Sequence, residues 1–187
     1  MAGAATTGPR PQVTTATPWG PLRTGRWLAL VLLLWVGALS PLGAQGLESR
    51  FDPQRDAAAD VAAAVAQAAT QGKHVIVDVG GEWCAWCHIL DRFIAGHAEI
   101  RQAIASDFVW VKVNWSPANR NERLLSAWPK ITGYPHLFVL DATGRVLRSQ
   151  PTVQFEAGKD YDEARMLAFL RANRPAAPAA TASAERP

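Results

Sequence analysis

Cys84 and Cys87 are the only cysteines in this 187-residue chain, and two residues separate them in Trp83-Cys84-Ala85-Trp86-Cys87-His88. A pair at this spacing can cycle between dithiol and disulfide, share a metal, or anchor a haem. A disulfide across so short a gap closes almost no loop, so it constrains the unfolded chain very little. Redox chemistry is therefore a better reason for the pair than stability. A dithiol catalyst needs an attacking thiolate, a resolving thiol within reach and a route for protons. Cys84 falls where a helix should begin, and unpaired N–H groups and the helix dipole favour an anion there. Cys87 lies one turn further in. Cys84 is thus the expected nucleophile and Cys87 the resolving thiol.

Asp78 is the next candidate. It interrupts Val75-Ile76-Val77-Asp78-Val79, a β-branched run that reads as a buried strand leading to the cysteines. A buried acid is costly, and desolvation should raise its pKa. It could then accept the proton of Cys87; a partly exposed edge residue or a hydrogen-bonded structural acid is the plainer alternative. Lys112, inside the next strand, could pair with Asp78 or sit on a solvated face. His88, if charged, would favour thiolate. Lys112 and His88 are the candidates for tuning the site. Trp83 and Trp86 flank the nucleophile and offer an apolar docking surface or simple packing.

The elements that must position these residues follow from periodicity. Residues 56–71 read as a helix with Asp56 as N-cap and Gly72 as stop. The first strand follows, then Gly80-Gly81, then a helix from Cys84 carrying Ile89, Leu90, Phe93 and Ile94 at helical spacing. Further helical turns over 99–105, a strand over 108–113, a short helix over 121–128, a turn at 131–135 and strands over 136–140 and 145–149 come next. Asp160 to Asn173 reads as the last helix. Helices alternating with strands predict an α/β fold, a central mixed sheet flanked by helices, with the motif at the carboxyl end of its first strand.

Charge divides the chain. Residues 1–44 hold three arginines and no acid, whereas the remainder holds sixteen basic and sixteen acidic side chains. A neutral body carries no signal for nucleic acid. Arg23 and Arg26 precede an apolar run from Trp27 to Leu39, which suits an export signal and is short for a membrane span. Residues 1–44 are read as an export signal or an uncleaved N-terminal anchor, 45–55 as a linker, 56–173 as the domain and 174–187 as a disordered Pro/Ala-rich tail. The protein is expected to be periplasmic or otherwise exported, touching the membrane only if residues 27–44 remain as an anchor.

The segment Val77-Asp78-Val79-Gly80-Gly81-Glu82-Trp83-Cys84-Ala85-Trp86-Cys87 resembles the active-site stretch of the thioredoxin family. Gly133-Tyr134-Pro135 resembles that family's cis-proline turn, and Val111-Lys112-Val113-Asn114 its third-strand segment. The Trp-Cys-x-Trp-Cys-His form is similar to exported thioredoxin-like proteins related to the periplasmic domains of transmembrane disulfide reductases. The resemblance implies a thioredoxin fold and a cis Pro135 beside the disulfide. It also implies substrate pairing along Tyr134 and a proton-transfer role for Asp78. Trp83, Trp86, Tyr134 and Pro135 are then the substrate-binding set. It calls for no metal or organic cofactor. Implied partners are cysteine-containing envelope proteins and a membrane electron carrier for the dithiol, with reduction the preferred direction. Three rival readings remain. Cys84-Ala85-Trp86-Cys87-His88 also fits c-type haem attachment, though a distal ligand lacks a candidate beyond Met166 or another histidine. A zinc site lacks a second close ligand pair. A thioredoxin-like binding or chaperone module would keep the fold without turnover.

Overall fold

The computed structural model describes Gly8 and residues 50–176. The export-signal reading of residues 1–44 and most of the tail reading lie outside the described residues. Helix α1 (Ala57–Gln71) starts at Asp56, whose side chain accepts the N–H groups of Ala58 and Ala59, and stops at Gly72. Strand β1 (His74–Gly80) follows. Next come α2 (Ala85–Gly96), α3 (Ala98–Asp107) and strand β2 (Phe108–Asn114). A single turn, α4 (Glu122–Leu125), precedes β3 (His136–Leu140) and β4 (Val146–Pro151). A 3-10 turn (Thr152–Phe155), a small hairpin of β5 (Glu156–Ala157) and β6 (Asp160–Tyr161), and α5 (Glu163–Asn173) complete the domain.

The sheet order is β2-β1-β3-β4. β1 and β2 run parallel, while β1–β3 and β3–β4 are antiparallel, so the sheet is mixed as expected. Alternation along β1 sorts its side chains. Val75, Val77 and Val79 join Val111, Val113, Phe138 and Leu140 against the small-residue stripe of α1. Ile76 joins Trp110, Leu137 and Val139 under the apolar faces of α2, α3 and α5. Asp78 and Gly80 share the face of Ile76, and so point toward α2, the cysteine helix.

Three readings change. The last helix begins at Glu163 rather than Asp160, because Asp162 caps it by accepting the Arg165 N–H at 2.9 Å. Asp160 and Tyr161 pair instead with Ala157 and Glu156. The helix expected over 121–128 shrinks to Glu122–Leu125. Asn121 takes a left-handed φ of 48°, and its side-chain amide donates to the Asn114 carbonyl at 2.7 Å, which ties it to the end of β2. Finally, Phe51 lies within the stretch read as a linker, yet it is 1% exposed and packs with the cysteines. An apolar ring gains more against the buried cysteines than it would in water.

Candidate active site

Cys84 and Cys87 form a disulfide. Cys84 is the N-cap of α2, and its sulfur accepts the Cys87 N–H at 3.2 Å. The first sulfur therefore sits where the backbone presents unpaired donors, the site expected to favour a thiolate. Cys84 is 4% exposed and Cys87 is fully buried, so an incoming sulfur meets Cys84 first. Gly80 explains how the second sulfur fits: a Cβ there would meet Cys87 Sγ at 2.5 Å and Phe51 Cζ at 3.0 Å. A Cβ on Gly81 would collide with the Trp83 indole and approach the Trp115 carbonyl to 2.8 Å. The Gly80-Gly81 pair thus allows strand, helix and aromatic loop to approach closely.

Asp78 is fully buried, two residues behind Gly80 on the same strand face. Its pKa is pushed up to about 6, chiefly by burial; the Lys112 ammonium opposes this and the Asp91 carboxylate adds to it. Lys112 stands beside Asp78 in the parallel β1–β2 register. Its ammonium donates to Asp78 Oδ2 at 3.3 Å and to Asp91 Oδ1 at 2.6 Å. The other Asp78 oxygen has no hydrogen-bond partner among the described residues. Lys112 is therefore buried and paired, and the solvated-face alternative falls. Two carboxylates share one ammonium, a net negative group on the strand face that leads to Cys87. Asp91 was not anticipated. The signal was available: it lies four residues after Cys87, on the same face of α2.

The aromatic candidates divide. Trp83 is 53% exposed, and its indole N–H donates to the Trp115 carbonyl at 2.8 Å. It stands edge-on to Trp115 and Tyr134, which stack on each other with centroids 5.0 Å apart. Tyr134 packs against the cysteine cluster, and the Tyr134–Pro135 peptide is cis. Pro135 is held from behind, its carbonyl accepting the Thr152 hydroxyl at 2.7 Å. Trp115, missed in the sequence, is thus part of the face beside the disulfide. It directly follows the Val-Lys-Val-Asn segment, and its N–H donates to the Gly80 carbonyl at 2.6 Å. Trp86 turns the other way, edge-on to Tyr161, whose hydroxyl donates to the Trp86 carbonyl at 3.3 Å. Its ring bridges the disulfide to the core.

His88 is bound to the loop it follows. A carbonyl only accepts, so His88 Nε2 carries the hydrogen donated to Glu82 O at 2.9 Å. The Glu82 carboxylate in turn accepts the Phe51 N–H at 2.7 Å. His136, directly after Pro135, is buried and donates to or accepts from the Ser149 hydroxyl at 2.8 Å. Burial lowers its pKa to about 4. Among the described residues no group of three or more His, Cys, Asp or Glu is placed to hold a metal. Among them, too, no helix is long and apolar enough to cross a membrane.

Residues 56–142 match a family model described as thioredoxin-like. The chain is 30% identical over 93 residues to the thiol:disulfide interchange protein DsbD of Pseudomonas sp. (strain JR1 / K1), covering 49% of this chain and 16% of that protein. It is 27% identical over 99 residues to DsbD of Colwellia psychrerythraea (strain 34H / ATCC BAA-681), covering 52% of this chain and again 16% of the relative. The chain therefore aligns with only a small part of each curated relative. A disulphide isomerase from Xylella fastidiosa Temecula1 of known structure is 28% identical, covering 57% of this chain and 80% of that one, with a TM-score of 0.49. The matched segment runs from the cap of α1 past the end of β3, so the similarity to a thioredoxin-like domain takes in both cysteines of the disulfide.

Proposed function

We propose that this protein is an exported thiol–disulfide oxidoreductase that reduces disulfides of envelope proteins. The observation that carries the reading is the asymmetry of the pair: the Cys84 sulfur caps a helix and keeps a trace of exposure, while Cys87 is fully buried one turn further in. In the reduced protein the Cys84 thiolate attacks one sulfur of a substrate disulfide. A mixed disulfide forms, and the other substrate sulfur leaves as a thiolate. Cys87, losing its proton toward Asp78, then attacks Cys84 Sγ. The Cys84–Cys87 disulfide closes, the second substrate thiol departs, and two electrons have passed to the substrate. A carboxyl with a pKa near 6 is suited to take up and release that proton near neutrality.

Asp78 and Asp91 against one Lys112 support the reductive direction. Net negative charge beside Cys87 disfavours its thiolate, which destabilises the dithiol relative to the disulfide and makes it a better reductant. Trp83, Trp115 and Tyr134 offer the substrate an apolar rim, with the Tyr134–Pro135 backbone beside the reacting sulfurs. The leader composition supports export. In an oxidising compartment, a membrane electron carrier would have to regenerate the dithiol.

The test is to trap the mixed disulfide. Full-length Cys87→Ala, reduced and mixed with glutathione disulfide, should accumulate an adduct on Cys84. Cys84→Ala should react at least about tenfold more slowly, because its remaining thiol is buried. Faster trapping through Cys87 would reverse the assignment, and an inert Cys84 would remove the catalytic reading.

A further inference from the structure

Phe51 lies outside residues 56–142, yet it is buried in one cluster with Cys84 and Cys87. One face of its ring carries the Lys112 ammonium, 3.9 Å from the centroid. Its Cζ and Cε1 atoms border the same point above Gly80 that Cys87 Sγ borders. The ring thus holds a buried cation over one face and sets its edge beside the buried sulfur. Two bonds hold the strap that delivers it. The Phe51 N–H donates to Glu82 Oε1 at 2.7 Å, and Asn119 Nδ2 donates to the Pro53 carbonyl at 2.9 Å. Packing alone would accept any apolar residue here. A ring offers more: its electron-rich face attracts the ammonium while its bulk keeps that charge from moving closer to the sulfur.

We infer that Phe51 is a positioning residue of the dithiol: its ring holds the Lys112 ammonium on Asp78 and Asp91 and keeps it off Cys87. The inference rests on the oxidoreductase reading of the site and adds to it the control of the resolving thiol. The titratable and charged groups around this contact include Asp78 on β1 and Asp91 on α2, which share the ammonium of Lys112 on β2, and Tyr161 on β6, within electrostatic reach of Asp78; His88 is bonded to the Glu82 carbonyl. With the ring in place, the ammonium stays on the two carboxylates and offers the sulfur no opposite charge. Without it, the ammonium gains access to the sulfur and stabilises the thiolate. The dithiol form is then favoured and the couple becomes more oxidising.

The experiment follows the Cys87 thiol alone, in the full chain carrying Cys84→Ser, by thiolate absorbance across pH. Phe51→Leu and Phe51→Met keep much of the apolar volume without a π face. Each should lower the Cys87 titration midpoint by about one pH unit, a tenfold change in thiolate fraction. The same substitutions made on a Lys112→Met background should produce no such shift, because the cation they release is gone. Glu82→Ala, which frees the strap but leaves the ring, should give a smaller shift of the same sign. Two results would overturn the inference. One is an unchanged midpoint in both Phe51 variants that fold. The other is a shift that persists on the Lys112→Met background, which would mean the ring only excludes water. Absence of any reversible disulfide couple in the unmutated protein would instead defeat the oxidoreductase reading, and is measured separately.

Discussion

Asp78 is held at a pKa of about 6 chiefly because burial removes the water that would stabilise its charge. The folded chain therefore binds a proton on Asp78 in a range where the unfolded chain has released it. Below the ordinary value of 3.8 both states are protonated and the fold bears no penalty. The penalty grows as pH rises toward 6 and is complete above it, so stability falls with rising pH across that window. Asp78→Asn should flatten this slope and raise stability at neutral pH by roughly 2–3 kcal/mol, measured by urea unfolding at a series of pH values. The same variant should slow disulfide reduction by on the order of 10²-fold, since the proton acceptor is lost. A gain in stability paired with a loss of rate is the signature of a group kept for function rather than for folding. His136 acts with the opposite sign. Its pKa is depressed to about 4, so its contribution is present above the unfolded value of 6.5 and is lost as pH falls toward 4. In wild type the two slopes oppose each other between pH 4 and 6. His136→Phe should therefore expose the Asp78 slope, with stability rising on acidification; a slope unchanged from wild type would refute the assignment.

At the scale of elements, the end of β1 carries the site. Gly80 lets the strand touch the first turn of α2, and Gly80→Ala forces a Cβ against Cys87 Sγ at 2.5 Å. The expected cost is about 1–3 kcal/mol, read as a lower urea midpoint with unchanged slope. No loss of stability would mean that strand and helix can part without consequence. This contact also marks how far the sequence could be read. The β-branched run, the cysteine spacing, and the Asp56 and Gly72 signals each act locally, and the structure returns them with boundaries moved by a residue or two. Asp78 was legible because an acid inside an apolar strand breaks a local rule. Phe51 was not. Its ring reaches the cysteines only because the chain before α1 folds back under Glu82, and no local pattern encodes that. Trp115 was likewise hidden, since its place depends on β2 lying beside β1. The early start assigned to the last helix overlooked Asp162, whose capping oxygen outweighs the helical pattern that runs through Asp160.

For the whole molecule, charge and redox chemistry point the same way. The basic excess belongs to residues 1–44 and the rest is neutral, and the proposed export assigns the address to the first part and the chemistry to the second. Residues 1–44 fused to a reporter that is active only after export should switch it on, and the same fusion lacking Trp27 to Leu39 should not. The proposed activity depends on how strongly the fold prefers the Cys84–Cys87 disulfide over the dithiol, and in that proposal the Asp78 and Asp91 carboxylates, which share Lys112, tilt the preference toward the disulfide. The most direct measurement is the equilibrium reduction potential of the full chain in dithiothreitol or glutathione buffers. A reversible two-electron couple much closer to about −270 mV than to about −120 mV is the predicted result. A potential near the upper value would contradict the reductive direction, and the lack of any reversible couple would contradict the oxidoreductase account itself.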